Sequence, residues 1–363
     1  MSDATGAPRP WNLVAELTYR CPLRCAYCSN PLDWARVDEG LDAATWGRAF
    51  GEAAELGVVH VGLTGGEPSA RRDLEPIVAA AAAAGLYPHL VTAGVPLTAE
   101  RLARLRDLGL RSVQLSIQDV DEEAGAAVAG GRFHDRKLAL ARAVRTLGLP
   151  LTLNVVLHRA NLARVGEIVA LARALDADKL ELANVQLHGF ALPNRAALLP
   201  TRAAIDAAAE LVAEARERAA RPEILFVLPD WWSDRPKPCM GGWARKTLVV
   251  APDGLVLPCH AARGLPGLAF HRYPEHDLRA CWLEAPGMQA FRGEAWMREP
   301  CRTCPERAHD FGGCRCQAFA LAGDAAEADP ACALAPRHER VLAARRDAEA
   351  GAVAPLALRS ADA

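Results

Sequence analysis

Cys21, Cys25 and Cys28 stand in the stretch "LTYRCPLRCAYCSN" with the spacing C-x₃-C-x₂-C. Three thiolates in one short loop can hold three corners of an iron–sulfur cube. A structural zinc ion is the alternative, but zinc sites normally close with four ligands, and no fourth Cys or His lies nearby. A cube with three protein ligands leaves one iron open to a small molecule. Eight further cysteines follow between Cys239 and Cys332, with "CRTCPERAHDFGGCRC" the densest run. One zinc ribbon with spare thiols is the plainer reading of that second set.

The loop follows an apolar run, "LVAELTY" (13–19), and the next such run ends in "TGGEP" (Thr64–Pro68). Glycines there permit backbone that other residues avoid and let main chain approach a ligand closely. Further strand-like runs cover 89–94, 112–118, 151–157 and 179–185, each strand alternating with helical periods such as 41–57 and 97–109. Alanines 79–84 read as a short helix stopped by Gly85. Six strand–helix units imply parallel pairing with right-handed crossovers. An open (β/α)₆ partial TIM barrel satisfies this, and so does a doubly wound sheet. Six units are short of the eight of a closed barrel, and the partial barrel is the expected fold. In it, the cysteine loop lies at the C-terminal mouth of the strands.

After about residue 221 the pattern changes to Pro, Gly and Trp with poor helical period. Loop-rich modules of this kind are commonly held by metal or cross-links. The division expected is a tail at 1–10, a barrel at 11–222, a cysteine-dense module at 223–340 and a tail at 341–363. Cys281 lies in a short apolar-periodic segment away from the dense loop and reads as a buried spectator. Setting it aside leaves seven thiolates, one fewer than two fully ligated clusters would need. Asp310, His309, His260 or an open iron could complete the count.

The chain has 363 residues, 51% of them hydrophobic and 24% charged, with net charge −2. No basic field points to nucleic acid. No apolar run reaches the ~18 residues of a membrane span, and the N-terminus has no signal-like apolar core. The expectation is a cytoplasmic protein, where thiols stay reduced and serve metals or catalysis.

The C-x₃-C-x₂-C loop followed at the next strand end by GGEP resembles the radical S-adenosylmethionine (radical SAM) superfamily. The resemblance implies that Cys21, Cys25 and Cys28 bind a [4Fe–4S] cluster whose open iron chelates SAM. It also places Gly65, Gly66, Glu67 and Pro68 at the SAM amino group. Thr92, Ser116, Gln118 and Asn154 are candidates for ribose and carboxylate contacts. The C-terminal cysteines resemble a SPASM domain with two auxiliary iron–sulfur clusters, each [4Fe–4S] or [2Fe–2S]. "RPKPCMGGW", "LPCHAAR" and "DFGGCRCQAFALAG" are similar to the peptide cyclases of pyrroloquinoline quinone biosynthesis, over residues 11–335. That family's pattern implies Cys239, Cys259, Cys314 and Cys316 at one auxiliary cluster, and Cys301, Cys304, Asp310 and Cys332 at the other.

The implied reaction joins Cγ of a glutamate to a tyrosine ring in the precursor peptide PqqA. Implied partners are the peptide chaperone PqqD and an electron donor such as flavodoxin. Other SPASM peptide maturases, thioether-forming or sulfatase-maturing, are the alternative. No side chain stands out as the base that deprotonates tyrosine.

Overall fold

The computed structural model describes residues 8–351 and 355–359; the remainder of both expected tails lies outside the described residues. One sheet of nine strands organises them. Its strands are β1 (Asn12–Thr18), β2 (His60–Gly65), β3 (Tyr87–Thr92), β4 (Ser112–Ile117), β5 (Leu151–Leu157), β6 (Lys179–Asn184), β7 (Glu223–Phe226), β8 (Thr247–Val250) and β9 (Val256–Leu257). Their order is β7-β6-β5-β4-β3-β2-β1-β8-β9. Every pairing is parallel except β8 with β9.

The monotonic run from β1 to β7 excludes the doubly wound alternative. A doubly wound sheet reverses its strand order at a switch point, which sends helices to both faces. Without reversal, right-handed crossovers stack every helix on one face, and the sheet curls into a partial barrel. The six expected strands are all present, within two residues at each end. β7 extends the sheet at one edge. At the other edge, β8 and β9 come from beyond residue 222 and continue the sheet past β1, so both halves of the chain share it.

Side-chain alternation shows which face is which. In β5, Leu151, Leu153, Val155 and Leu157 are buried, whereas Thr152, Asn154 and Val156 between them are only half-buried. β4 repeats the pattern with Gln114 and Ser116. Parallel strands covered on both faces usually read as unbroken apolar runs. Polar residues at every second position therefore mark a wet lumen opposite the helical layer. Leu63, Leu90, Leu115, Leu153 and Leu182 belong to the apolar core, with Trp46, Phe50 and Ile77 from the helices Ala43–Leu56 and Leu74–Ala83.

Just beyond β5, His158 is 1% exposed and accepts a hydrogen bond from the Ala160 N–H at 3.2 Å. Burial pulls its pKa down to about 4, against the raising effect of Asp119. The native ring is thus neutral at pH 7, while the unfolded chain gains a proton near pH 6.5. Its contribution is complete above that value and is lost as pH falls from about 6.5 toward 4, on the order of 3 kcal/mol at most. We expect unfolding free energy measured by denaturant titration to drop between pH 7.5 and pH 5.5, and His158→Gln to lessen that drop, the remainder coming from His89, which burial also brings down to about 4.

Candidate active site

A cavity of about 460 Å³ opens over the C-terminal ends of the central strands. Cys21, Cys25 and Cys28 line one side, and Gly65, Gly66, Thr92, Ser116, Gln118 and Asn154 line the rest with His260 and Arg359. The cysteine loop is pinned from two directions. Arg24 and Ala26 donate backbone N–H groups to Ala129 and Val128 at 2.8 and 3.1 Å. Phe190 N–H donates to the Cys28 carbonyl at 2.9 Å. The cysteines keep some accessible area, which faces the cavity. Desolvation nevertheless pushes Cys21 up to about 11 and Cys25 up to about 12, and raises Cys28. Such thiols are poor nucleophiles on their own, and a metal must displace their protons to bind.

The close approach that the glycines allow is to this loop. Gly66 N–H donates to the Thr18 carbonyl at 2.6 Å, and Glu67 N–H to the Arg20 carbonyl at 2.8 Å. A Cβ on Gly66 would lie 2.5 Å from the Arg20 oxygen and 2.6 Å from the Tyr19 oxygen. Gly65 has φ +120°, and a Cβ there would run into the Thr18 carbonyl. Both positions require glycine because backbone meets backbone.

Glu67 and Pro68 stand outside the cavity lining. Glu67 is fully buried, and its carboxylate accepts from Ser69 N–H (2.9 Å), Ala93 N–H (2.6 Å), the Thr92 hydroxyl (2.7 Å) and the Ser69 hydroxyl. It thereby knots the end of β2 to the end of β3. Pro68 opens the 3₁₀ turn Pro68–Ala70. Thr92 lines the cavity with its hydroxyl already donated. Gln118 lines it too, with its side-chain oxygen accepting from Lys137, whose ammonium also reaches the Ser116 carbonyl at 3.0 Å. Burial brings Lys137 down to about 8. Ser116 and Asn154 pair across β4 and β5 and present adjacent polar side chains to the cavity.

The C-terminal cysteines fall into two groups. Cys239, Cys314, Cys316 and Cys259 are neighbours in that order, the ionisation of each thiol being shifted by the next. Cys301, Cys304, Asp310 and Cys332 line one narrow cleft with Pro236, Pro300, Gly312 and Leu334. Asp310 Oδ1 accepts from Gly312 N–H at 2.8 Å. Of the other non-cysteine candidates, the His309 side chain is 79% exposed beside Glu306, and His260 faces the first cavity. Cys281 is fully buried in the helix Leu278–Leu283.

No group of three or more His, Cys, Asp or Glu among the described residues converges on a single-ion site. The ligands of a cube bind separate irons and need not meet at one point. The donor sets, thiolates with one carboxylate, suit iron–sulfur chemistry.

Asp329 escaped the sequence reading. It is 0% exposed and accepts from Cys314 N–H (2.7 Å), Ala331 N–H (2.9 Å) and Gln317 Nε2 (2.8 Å), while its carbonyl accepts from Cys332 N–H (2.8 Å). Burial, with Cys314 next, pushes it up to about 7. One aspartate thus braces a cysteine of each group. A second cavity, about 440 Å³, touches Cys316 and His188 and shares Ser29, Asn30 and His260 with the first.

Because Gly66 abuts Tyr19 and Arg20, a side chain there must displace the residues leading into Cys21. We expect Gly66→Val to lower iron loading of the first cysteine site in reconstituted protein, with the C-terminal sites still loaded. Wild-type iron stoichiometry in that variant contradicts this geometry.

Comparison with known proteins places these features in a lineage. Residues 15–172 match the radical SAM superfamily. The PqqA peptide cyclase of Methylocella silvestris is 53% identical over 92% of this chain and 90% of its own length. That of Streptomyces rochei is 51% identical over 97% of each chain. Among solved structures, Streptococcus suis SuiB bound to S-adenosylmethionine matches with a TM-score of 0.72 at 20% identity, covering 86% of this chain and 75% of that one. The AdoMet-bound anSMEcpe structure matches at 0.65 and 15% identity over 94% and 98%. Both share the fold, and the near relatives fix the lineage: the chain belongs to the PqqA peptide cyclase family of the radical SAM superfamily.

Proposed function

We propose that this chain acts on the precursor peptide PqqA in pyrroloquinoline quinone biosynthesis, joining Cγ of a glutamate to the ring of a tyrosine. The observation that carries this reading is the pair of adjoining cavities. One holds the three-cysteine loop, the other reaches Cys316, and they meet at Ser29, Asn30 and His260. A peptide segment lying across that junction sits between the site of hydrogen removal and an electron acceptor.

SAM and an iron–sulfur cluster are the reagents of this superfamily. In our reading Cys21, Cys25 and Cys28 hold the cluster, and the mouth from Gly65 and Gly66 round to Thr92, Ser116, Gln118 and Asn154 holds SAM. When bound, the two together supply hydrogen-atom abstraction. The protein's share is orientation and exclusion of water. Glu67 fixes the strand ends around the ligand without touching it, and Lys137 locks Gln118. Replacing two C–H bonds by one C–C bond is a two-electron oxidation, so an acceptor must take what SAM cleavage does not. Cys239, Cys259, Cys314 and Cys316 are proposed to hold one auxiliary cluster for this purpose, and Cys301, Cys304, Asp310 and Cys332 the other. The radical SAM part then spans 11–222 and the auxiliary module 223–340. PqqD and a flavodoxin-like donor are the proposed partners, and the cytoplasm the proposed compartment. No helix among the described residues is long and apolar enough to cross a membrane.

The test is mass spectrometry of PqqA after anaerobic incubation with enzyme, SAM, reductant and PqqD. The peptide should lose two hydrogens, with fragmentation blocked between the joined residues. Cys25→Ala should abolish both 5′-deoxyadenosine and cross-link while the C-terminal clusters remain. Normal 5′-deoxyadenosine production by that variant overturns the assignment.

Asp310 gives a second test. A carboxylate is a harder ligand than thiolate, and ligand identity helps set cluster potential. Asp310→Cys should assemble a cluster of lower potential, and Asp310→Ala should lose or loosen it with SAM cleavage largely intact. Redox-poised EPR identical to wild type in both variants would make Asp310 a loop residue only.

A further inference from the structure

Residues 355–359 return from the far end of the chain to the cysteine loop. Asn194 holds them: its Oδ1 accepts from Ala357 N–H at 2.8 Å, and its Nδ2 donates to the Ala357 carbonyl at 2.7 Å. The same Nδ2 donates to the Ala26 carbonyl at 2.8 Å, between Cys25 and Cys28. Arg359 N–H then donates to the Arg24 carbonyl at 3.2 Å. These bonds deliver the Arg359 side chain, 2% exposed, into the wall of the first cavity.

Its guanidinium carbon lies over the Trp34 ring, 4.2 Å from the ring centre. Nη2 donates to the Cys21 carbonyl at 3.1 Å and Nη1 to the Tyr19 carbonyl at 3.4 Å. It shares the cavity wall with Cys21, Cys25 and Cys28, and its positive charge draws the Cys28 pKa down against burial. Nε is buried without a partner, and no carboxylate forms an ion pair with this arginine among the described residues. A buried cation without a counter-anion is costly, and arginine cannot escape the cost by losing its proton. The three cysteines that line the same cavity would supply its counter-charge as thiolates of a bound cluster.

We propose that Arg359 is a charge-compensating positioning residue for the cluster at Cys21, Cys25 and Cys28. It holds the Cys21 backbone, places a buried positive charge beside the three cysteines, and would raise the reduction potential of a cluster bound there. This rests on the reading that those three cysteines bind the cluster. Reduction adds negative charge, so an adjacent fixed cation favours the reduced state. Residues 355–359 are thereby tied to the first step of the proposed reaction.

The experiment uses holoenzyme carrying Arg359→Gln or Arg359→Lys, with iron content and redox-poised EPR of the first cluster as readouts. Arg359→Gln should shift its midpoint to more negative potential, by roughly a tenfold change in the reduced-to-oxidised ratio at fixed ambient potential, or about 59 mV for one electron. The auxiliary clusters should keep their potentials. Arg359→Lys, a point charge on a shorter fork, should fall between Gln and wild type. An assembled first cluster in Arg359→Gln with wild-type potential overturns the proposal and leaves Arg359 as a latch for the tail. Should Arg359→Gln fail to fold, Arg359→Met decides: a lowered potential supports the proposal and an unchanged one overturns it. If the signal assigned to the first cluster persists in Cys25→Ala, the ligand assignment itself fails, separately from the role of Arg359.

Discussion

The mouth of this barrel depends on main chain touching main chain. Gly65 and Gly66 have no Cβ, so the end of β2 can lie directly against Thr18, Tyr19 and Arg20. Two short hydrogen bonds, from Gly66 and Glu67 to that segment, seal the contact. The three cysteines begin at the next residue. Their placement is therefore inherited from a strand-to-loop contact that tolerates no added atom. Next along, the buried Glu67 carboxylate would be expensive without partners. Four donors from Ser69, Thr92 and Ala93 satisfy it, which extends the rigid rim from β2 to β3.

Legibility in the sequence followed locality. The strands from β1 to β6 were readable because alternation of burial has a period of two and each run is bounded by turn residues. The cysteine loop was readable because spacing within one turn is itself geometry. By contrast, β7, β8 and β9 are short, and their pairing is decided by where the chain returns, not by any pattern within them. Glu67 looked like part of the ligand edge from its neighbours. Only the fold reveals that its carboxylate points into the rim, away from the cavity.

Long-range assembly hid the rest. Asp329 stands in "GDAAEADPACAL", where nothing local marks an aspartate that bonds Cys314 fifteen residues back. Arg359 stands in a segment whose composition reads as a tail. Its significance comes from Asn194, 163 residues before Ala357, which receives that segment. Neither residue carries a motif, because what selects each is a vacancy in someone else's hydrogen bonding.

Charge connects the three cysteine sites. Burial raises the thiols of the first loop, so each disfavours ionisation until a metal binds. A cluster held at each site as proposed would concentrate negative charge in a poorly solvated region, and the protein must answer it. Around the first loop the answering groups are Arg359 and, behind Gln118, Lys137. Around the C-terminal groups, His188 Nε2 lies 3.9 Å from Cys314 Sγ, and the backbone N–H groups of Cys314 and Cys332 are taken up by Asp329 instead of by sulfur. The first loop is met by a buried arginine, the C-terminal groups by a histidine and a buried aspartate, so the local charge differs between them. Hydrogen bonds and local charge are among the levers that set iron–sulfur potentials. On that physics, clusters held as proposed would differ in how readily they accept an electron, which the proposed reaction, spending one electron and recovering another, requires.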